Sequence, residues 1–457
     1  MTEPSCSFCV LPWMHLFADE AGTLWPCCRT IGSGLPNIDD ATGEPRTVTA
    51  PGGLQAAMNT STMRTLRREM LAGDRPAACE RCYRLEDLGG RSHRQVSNAR
   101  WAETLPDHVA STAPDGRIEA DLRTADLRLG NICNLKCRMC SPQSSKALIA
   151  EFAKAGGAPE THPYFDRFRR MDWFDNAEFW TALEHDAPNL ESINFAGGEP
   201  LLIEGMFDFL ERMVDTGRAK SLTISYNTNA TLLPDRIARL WPAFRAIRLT
   251  ASVDGVDAIN DYIRAPSKWA RVDSNLRYFD THTETLNLSG GFTTNSAIQV
   301  LNVFALEPLL HYLLGTLRNN ECPNLSIVTH PAHLDTRILP PKLKARADLR
   351  LRELIAKLES GWPDNRHRPD LIASVTAIRN HMMGKDRSEL VPEFLRWMEV
   401  MDSARGQSLA RTVPELAELK ATAEMAGRPD ATPAEPETRT RAGLPRRAGG
   451  AIPVGGL

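Results

Sequence analysis

No stretch of about 18 apolar residues occurs anywhere in the 457-residue sequence, so no segment is expected to cross a bilayer as a helix. Neither sign of charge prevails. The 54 lysines and arginines stand against 57 acidic residues, and the net charge of -3 leaves no overall field to draw the chain to nucleic acid or to an anionic membrane surface. The opening residues, MTEPSCSFCVLPWMHLF, lack the positive start and unbroken apolar run of a secretory signal, so a cytoplasmic location is expected. What remains is ordinary globular material, 42% hydrophobic and 24% charged, long enough for a sizeable core and more than one domain.

The cysteines are crowded. Nine of the ten, Cys6, Cys9, Cys27, Cys28, Cys79, Cys82, Cys133, Cys137 and Cys140, fall in the first third of the chain, and only Cys322 stands apart. In a reducing cytosol such clusters point to metal or cluster ligands rather than disulfides.

The texture of the chain changes along its length. Residues 1 to about 115 mix short apolar stretches with turn residues, too irregular for a large core, around one helix expected from Gln55 to Leu71 with Met58, Met63, Leu66 and Met70 on its stripe and Gly73 as its cap. From 120 to about 340, six apolar runs alternate with helical stretches: 125–133, 190–197, 221–230, 246–255, 296–305 and 324–330. That alternation predicts an α/β fold with a parallel sheet or partial barrel, whose chemistry belongs at the C-terminal ends of the strands. Residues 341–426 read as a helical extension, with periodic stretches at Lys342 to Glu359 and Arg368 to Met383, and 427–457, rich in Pro, Ala, Gly and Arg, as a disordered tail.

NICNLKCRMC, at 131–140, lacks something too: an all-cysteine metal site normally needs four thiolates, and here there are Cys133, Cys137 and Cys140. Three thiolates after a strand can hold a cubane iron-sulfur cluster by three irons, leaving the fourth iron open to a small molecule. A zinc ion completed by a distant histidine or cysteine is the alternative. A second unusual stretch, FAGGEPLL at 195–202, also follows an apolar run, with Gly197 and Gly198 allowing close backbone approach and Glu199 supplying a carboxylate.

On these residues the chain resembles the radical S-adenosylmethionine (SAM) enzymes, whose signature is C-x3-C-x2-C at the end of the first strand of a partial (β/α)6 barrel. The residue before the last cysteine is commonly aromatic in that family and is Met139 here. The resemblance implies a 4Fe-4S cluster on Cys133, Cys137 and Cys140, and SAM held by Gly197, Gly198 and Glu199 at its amino group. Later strand ends would hold the ribose and the methionine carboxylate, with Asn229, Ser252 and Arg264 the matches and Asn227 and Asp254 beside them. Turn formation or strand capping is the competing reading of each polar residue.

The N-terminal cysteines resemble the auxiliary-cluster modules, called SPASM or twitch domains, of peptide- and sugar-modifying radical enzymes, through Trp25-Pro26-Cys27 and Cys79-x2-Cys82. Such modules usually follow the barrel; here the cysteines precede it. The resemblance implies a module over 1–115 with an auxiliary 4Fe-4S cluster on Cys9, Cys27, Cys79 and Cys82. Cys28 is an alternative to Cys27, Cys6 a spare, and a zinc ribbon pairing Cys6-x2-Cys9 with Cys79-x2-Cys82 the competing account. Cys322 reads as a buried structural cysteine or, alternatively, a hydrogen donor.

The function implied is reductive SAM cleavage, with an external electron donor such as flavodoxin or ferredoxin, followed by hydrogen abstraction from a peptide or protein. Dehydrogenation or epimerisation of a sugar or other small molecule is the second reading. A noncatalytic iron-sulfur or zinc binding protein is the third. No nucleic acid and no membrane partner is expected.

Overall fold

The structure, a computed structural model, describes residues 5–288, 291–320, 322–362 and 367–419. The expected tail and residues 420–426 of the helical extension lie outside the described residues. The chain divides into two compact units, one of 1–132, 167–226 and 238–247, the other of 133–166, 227–237 and 248–457. The fold is mixed α/β.

In the first unit a short hairpin, β1 (His15–Ala18) and β2 (Leu24–Trp25), is hydrogen-bonded to the main strands: β1 runs parallel to β3 (Thr124–Leu129), with His15 opposite Thr124 and Phe17 opposite Asp126. β3 pairs in parallel with β4 (Ser192–Gly197), and β4 with β5 (Thr223–Thr228). In the second unit β6 (Ala246–Ser252), β7 (Phe292–Ile298) and β8 (Asn324–Ile327) are again parallel neighbours. Each of the six apolar runs thus overlaps a strand. β7 starts four residues before the run anticipated at 296 and stops at Ile298, because the Asn302 amide reaches back to the Asp254 and Ala297 carbonyls and the Gln299 N–H donates to Asn302 Oδ1.

Parallel strands covered on both faces read as continuous apolar runs. Those of the first unit alternate instead. Ala125, Leu127 and Leu129 pack with Ile193, Phe195, Ile224 and Tyr226 on one face. On the other, the Asn194 amide donates to Asp126 at 2.8 Å and His15 Nδ1 is 2.7 Å from Thr124 Oγ1. One face is core and the other is polar.

The helix expected from Gln55 to Leu71 is two, Gly53–Met58 and Ser61–Ala72. Asn59 leaves the helix to bond Ile118 on both its carbonyl and its N–H, and Thr60 caps the second helix by accepting from the Met63 N–H. Gly73, at φ 89°, closes it in the left-handed conformation that glycine adopts without strain. The N-terminal segment has more core than its sequence suggests: Phe8, Val10, Trp13, Met14, Met58, Leu66 and Met70 form one buried apolar cluster. In the second unit the helical extension is Pro341–Glu359, Arg368–Met382 and Val391–Arg405. No helix among the described residues is long and apolar enough to cross a membrane.

Burial lowers the His15 pKa from 6.5 to about 4, so the imidazole is neutral in the fold and takes a proton more readily once unfolded. The unfolded chain therefore binds more protons between those values, and stability falls as pH drops from 6.5 toward 4, by about 3 kcal/mol from this group. His15→Gln, which keeps a partner for Thr124, should flatten that part of the stability profile, measured by denaturant titration at pH 7 and pH 4.5.

Candidate functional site

The three-cysteine loop leaves the end of β3 and belongs to the second unit, where backbone bonds pin it: the Lys136 N–H donates to the Ala265 carbonyl (2.6 Å) and the Arg138 N–H to the Ile263 carbonyl (2.8 Å). Between the second and third cysteines, Arg138 turns inward and is fully buried. Its guanidinium stacks on the Tyr262 ring at 3.6 Å, and it donates to the Tyr262 carbonyl, Asp402 Oδ1 (2.6 Å) and Gln407 Oε1 (2.9 Å). Buried Glu151 accepts from both Lys136 and Arg405. Helix Val391–Arg405 and the turn after it are thereby tied to the cysteine loop.

The thiols gather. Cys137 accepts a hydrogen bond from Cys140, which with the nearby Arg264 guanidinium draws it down toward thiolate, while the same bond and burial push Cys140 up; the charge of Cys133 is also felt at Cys140. The sulfurs are met by donors: the Leu135 N–H lies 3.4 Å from Cys133 Sγ, Asn229 Nδ2 is 3.8 Å from Cys133 Sγ, and Arg264 Nη1 is 3.8 Å from Cys137 Sγ. Such donors stabilise negative sulfur.

The later strand ends supply these groups. Arg264 forms an ion pair with fully buried Asp254 at 2.7 Å, and the Ala297 N–H donates to the same carboxylate. Asn229 is 7% exposed, donates to Asn134 and accepts from both the N–H and the hydroxyl of Thr231. Ser252, half-buried, is the last residue of β6, opposite Asn295. Among the anticipated residues, Asn229 thus touches Cys133, and Cys137 touches both Arg264 and Cys140, all in this unit.

The GGE stretch belongs to the first unit. The Gly198 N–H donates to the Gly130 carbonyl and the Glu199 N–H to Ile132, the residue before the first cysteine. A Cβ on Gly198 would stand 2.1 Å from the Ile132 oxygen, and one on Gly197, at φ 112°, 2.7 Å from the Leu129 nitrogen. These glycines are required by the chain's own backbone. Glu199 is 1% exposed and accepts from the Leu201 N–H at 3.2 Å.

Also in the first unit, Cys9 precedes the turn Leu11–Met14, Cys27 follows β2, and Cys79 and Cys82 begin helix Glu80–Asp87. Arg94 and Asn98, on helix His93–Arg100, hold the Cys9 loop by donating to the Phe8 carbonyl, and Asn98 accepts from the Val10 N–H. Burial pushes Cys9 and Cys79 up to about 12 and Cys27 further up; the charges of Cys79 and Cys82 add to this at Cys9, those of Cys27 and Cys82 at Cys79, and those of Cys28, Cys9 and Cys82 at Cys27. Cys28, half-buried, is surrounded by Asp126, Arg128 and Arg29, and Cys6 is exposed.

Residues 127–296 match the family model of the Radical SAM superfamily. The match covers a radical SAM domain within the chain and supports an enzyme. No curated protein matches the sequence. Among solved structures, the chain is similar to anSMEcpe with bound AdoMet and the Cp18Cys peptide (15% identity, TM-score 0.30, 46% of this chain and 51% of that chain). Similar too are Streptococcus suis SuiB bound to precursor peptide SuiA (12%, TM-score 0.34, 62% and 60%) and SuiB bound to S-adenosylmethionine (13%, TM-score 0.33, 61% and 57%). The chain spans about half the length of the first of these.

A radical SAM domain implies SAM and a 4Fe-4S cluster, and the donor set of its loop suits the cluster: Cys140 is bonded to Cys137, which is drawn toward thiolate, the charge of Cys133 reaches Cys140, and N–H donors meet two of the sulfurs. Sequence reasoning missed the outer support of this loop, namely Arg138, Glu151, Asp402, Arg405 and Gln407. The only signal was a basic residue inside the cysteine spacing. Arg138→Met leaves Asp402 without its buried partner and should destabilise the enzyme by about 3 kcal/mol, read by thermal unfolding, and lower the iron retained after reconstitution. Gly198→Ala should act through the other unit, at about 3 kcal/mol, since backbone rather than a flexible side chain must move.

Proposed function

We propose that the enzyme binds a 4Fe-4S cluster through Cys133, Cys137 and Cys140, within the partial (β/α)6 barrel that the six parallel strands would form, and modifies a peptide or protein. Its carrying observation is a match to the Radical SAM superfamily over a segment whose cysteine loop has Cys133 and Cys137 met by the N–H donors of Asn229 and Arg264. A cluster held by these three cysteines, with SAM bound and an electron from a donor such as flavodoxin or ferredoxin, would supply reductive cleavage of SAM to methionine and a 5'-deoxyadenosyl radical. Arg264 and Asn229 stabilise sulfur charge and hold the loop. Gly197, Gly198 and Glu199 would take the SAM amino group, the Glu199 carboxylate being its counter-charge, and Ser252 a ribose hydroxyl. Burial of the surrounding polar groups excludes water from a reactive intermediate.

The N-terminal module over 1–115 would hold an auxiliary 4Fe-4S cluster on Cys9, Cys27, Cys79 and Cys82. The charges of Cys9 and Cys82 reach Cys27, whereas those felt at Cys28 are of Asp126, Arg128 and Arg29, which supports Cys27 as the ligand. This second set is also what favours a peptide substrate over a sugar, because enzymes with such modules, though they include sugar-modifying ones, are so often peptide maturases.

Anaerobic reconstitution should give about eight irons per chain, falling to about four in the Cys133, Cys137, Cys140 triple alanine variant and in Cys27→Ala, but not in Cys28→Ala. Dithionite and SAM should yield 5'-deoxyadenosine in the wild type and none in the triple variant. Product in the triple variant would sink the cluster assignment, and zinc in place of the second four irons would sink the auxiliary one. Deuterium passing from a carbon-deuterated peptide into 5'-deoxyadenosine would support the peptide reading, and transfer from sugars alone would overturn it.

A further inference from the structure

Outside both cysteine groups, the second unit brings a third set of metal-binding side chains together. Cys322 stands just before β8, half-buried rather than in the core, while His367 and Asp370 open helix Arg368–Met382, far along the chain. One ligand atom from each, the thiol sulfur, a ring nitrogen and a carboxylate oxygen, lies within 4.8 Å of the other two. His367 Nδ1 and Asp370 Oδ2 are 3.5 Å apart. Two ligands each about 2.0–2.2 Å from a tetrahedral ion stand about 3.4 Å from each other, so this pair already has the required separation. The sulfur needs to approach by only about 1 Å, within reach of a small side-chain rotation.

We infer that Cys322, His367 and Asp370 bind a zinc ion, with water in the fourth position. The donor chemistry selects the metal: calcium and magnesium take oxygen ligands, whereas thiolate, imidazole and one carboxylate suit zinc. The charges close, since one thiolate and one carboxylate balance a dication and the imidazole binds neutral. The positive end of the helix would repel a cation, and Asp370 in its first turn places a negative group between them. The exposed Asp370 side chain, 74% accessible, leaves a path for the ion to enter. Bound there, zinc staples the chain entering β8 to the helical extension and closes the long stretch between them, a constraint that acts on the unfolded chain. The inference is independent of the radical chemistry.

The test adds stoichiometric zinc to the iron-loaded full-length enzyme, followed by desalting and metal analysis. The wild type should keep about one zinc per chain, and Cys322→Ser and the surface variant Asp370→Ala less than a tenth of that, with iron content and 5'-deoxyadenosine formation unchanged. Cobalt in place of zinc should show a thiolate-to-metal absorption band that Cys322→Ser abolishes. Failure of the wild type to retain zinc, or equal retention by wild type and both variants, would overturn the site.

Discussion

A charged guanidinium sealed inside the protein, that of Arg138, is the constraint on which the cysteine loop depends. A loop of eight residues carrying three thiols has little of its own to hold it in one conformation, and three thiolates brought together repel. Arg138 is stacked on Tyr262 and bonded to Asp402 and Gln407, so the loop between the last two cysteines can move only if a buried charge loses its partners. Lys136 and Arg405, converging on buried Glu151, repeat the device. The helical extension is in this sense part of the support of the cysteine loop, although its helices contribute none of the anticipated ligands.

The same logic gives the polar groups at the strand ends two tasks. Arg264 and Asn229 touch cysteine sulfur, and each is fixed by a second partner, Asp254 in one case and the pair Asn134 and Thr231 in the other. A donor already positioned loses no rotamer freedom when a negative cluster forms beside it, so the interaction is available in full to the charged state. In the first unit the glycines of GGE serve first to let β4 close against the backbone leading to Cys133.

The N-terminal thiols pose the opposite problem. Deep burial holds Cys9, Cys27 and Cys79 protonated, so any metal bound by them must displace protons that the apolar surroundings retain. The apolar cluster of Phe8, Trp13, Met58 and Met70 creates those surroundings and shields the site from solvent.

Much of this was legible in the amino-acid order. The C-x3-C-x2-C spacing, the GGEP stretch and the six apolar runs depend on local chemistry, and each run overlaps a strand because β-forming residues between turn signals have little alternative. Helices at Pro341–Glu359 and Arg368–Met382 follow from period alone. The break at Asn59 and Thr60 was not legible, because it rests on Asn59 meeting Ile118, a contact between distant parts of the chain. Nor could sequence give Arg138 its partners at 402 and 407, or bring Cys322 beside His367 and Asp370. The sequence by itself determined which residues are able to bind a metal or a cofactor. Only the tertiary structure decided which of them meet, because a side chain's charge state and partners depend on burial and on neighbours that arrive from elsewhere in the chain.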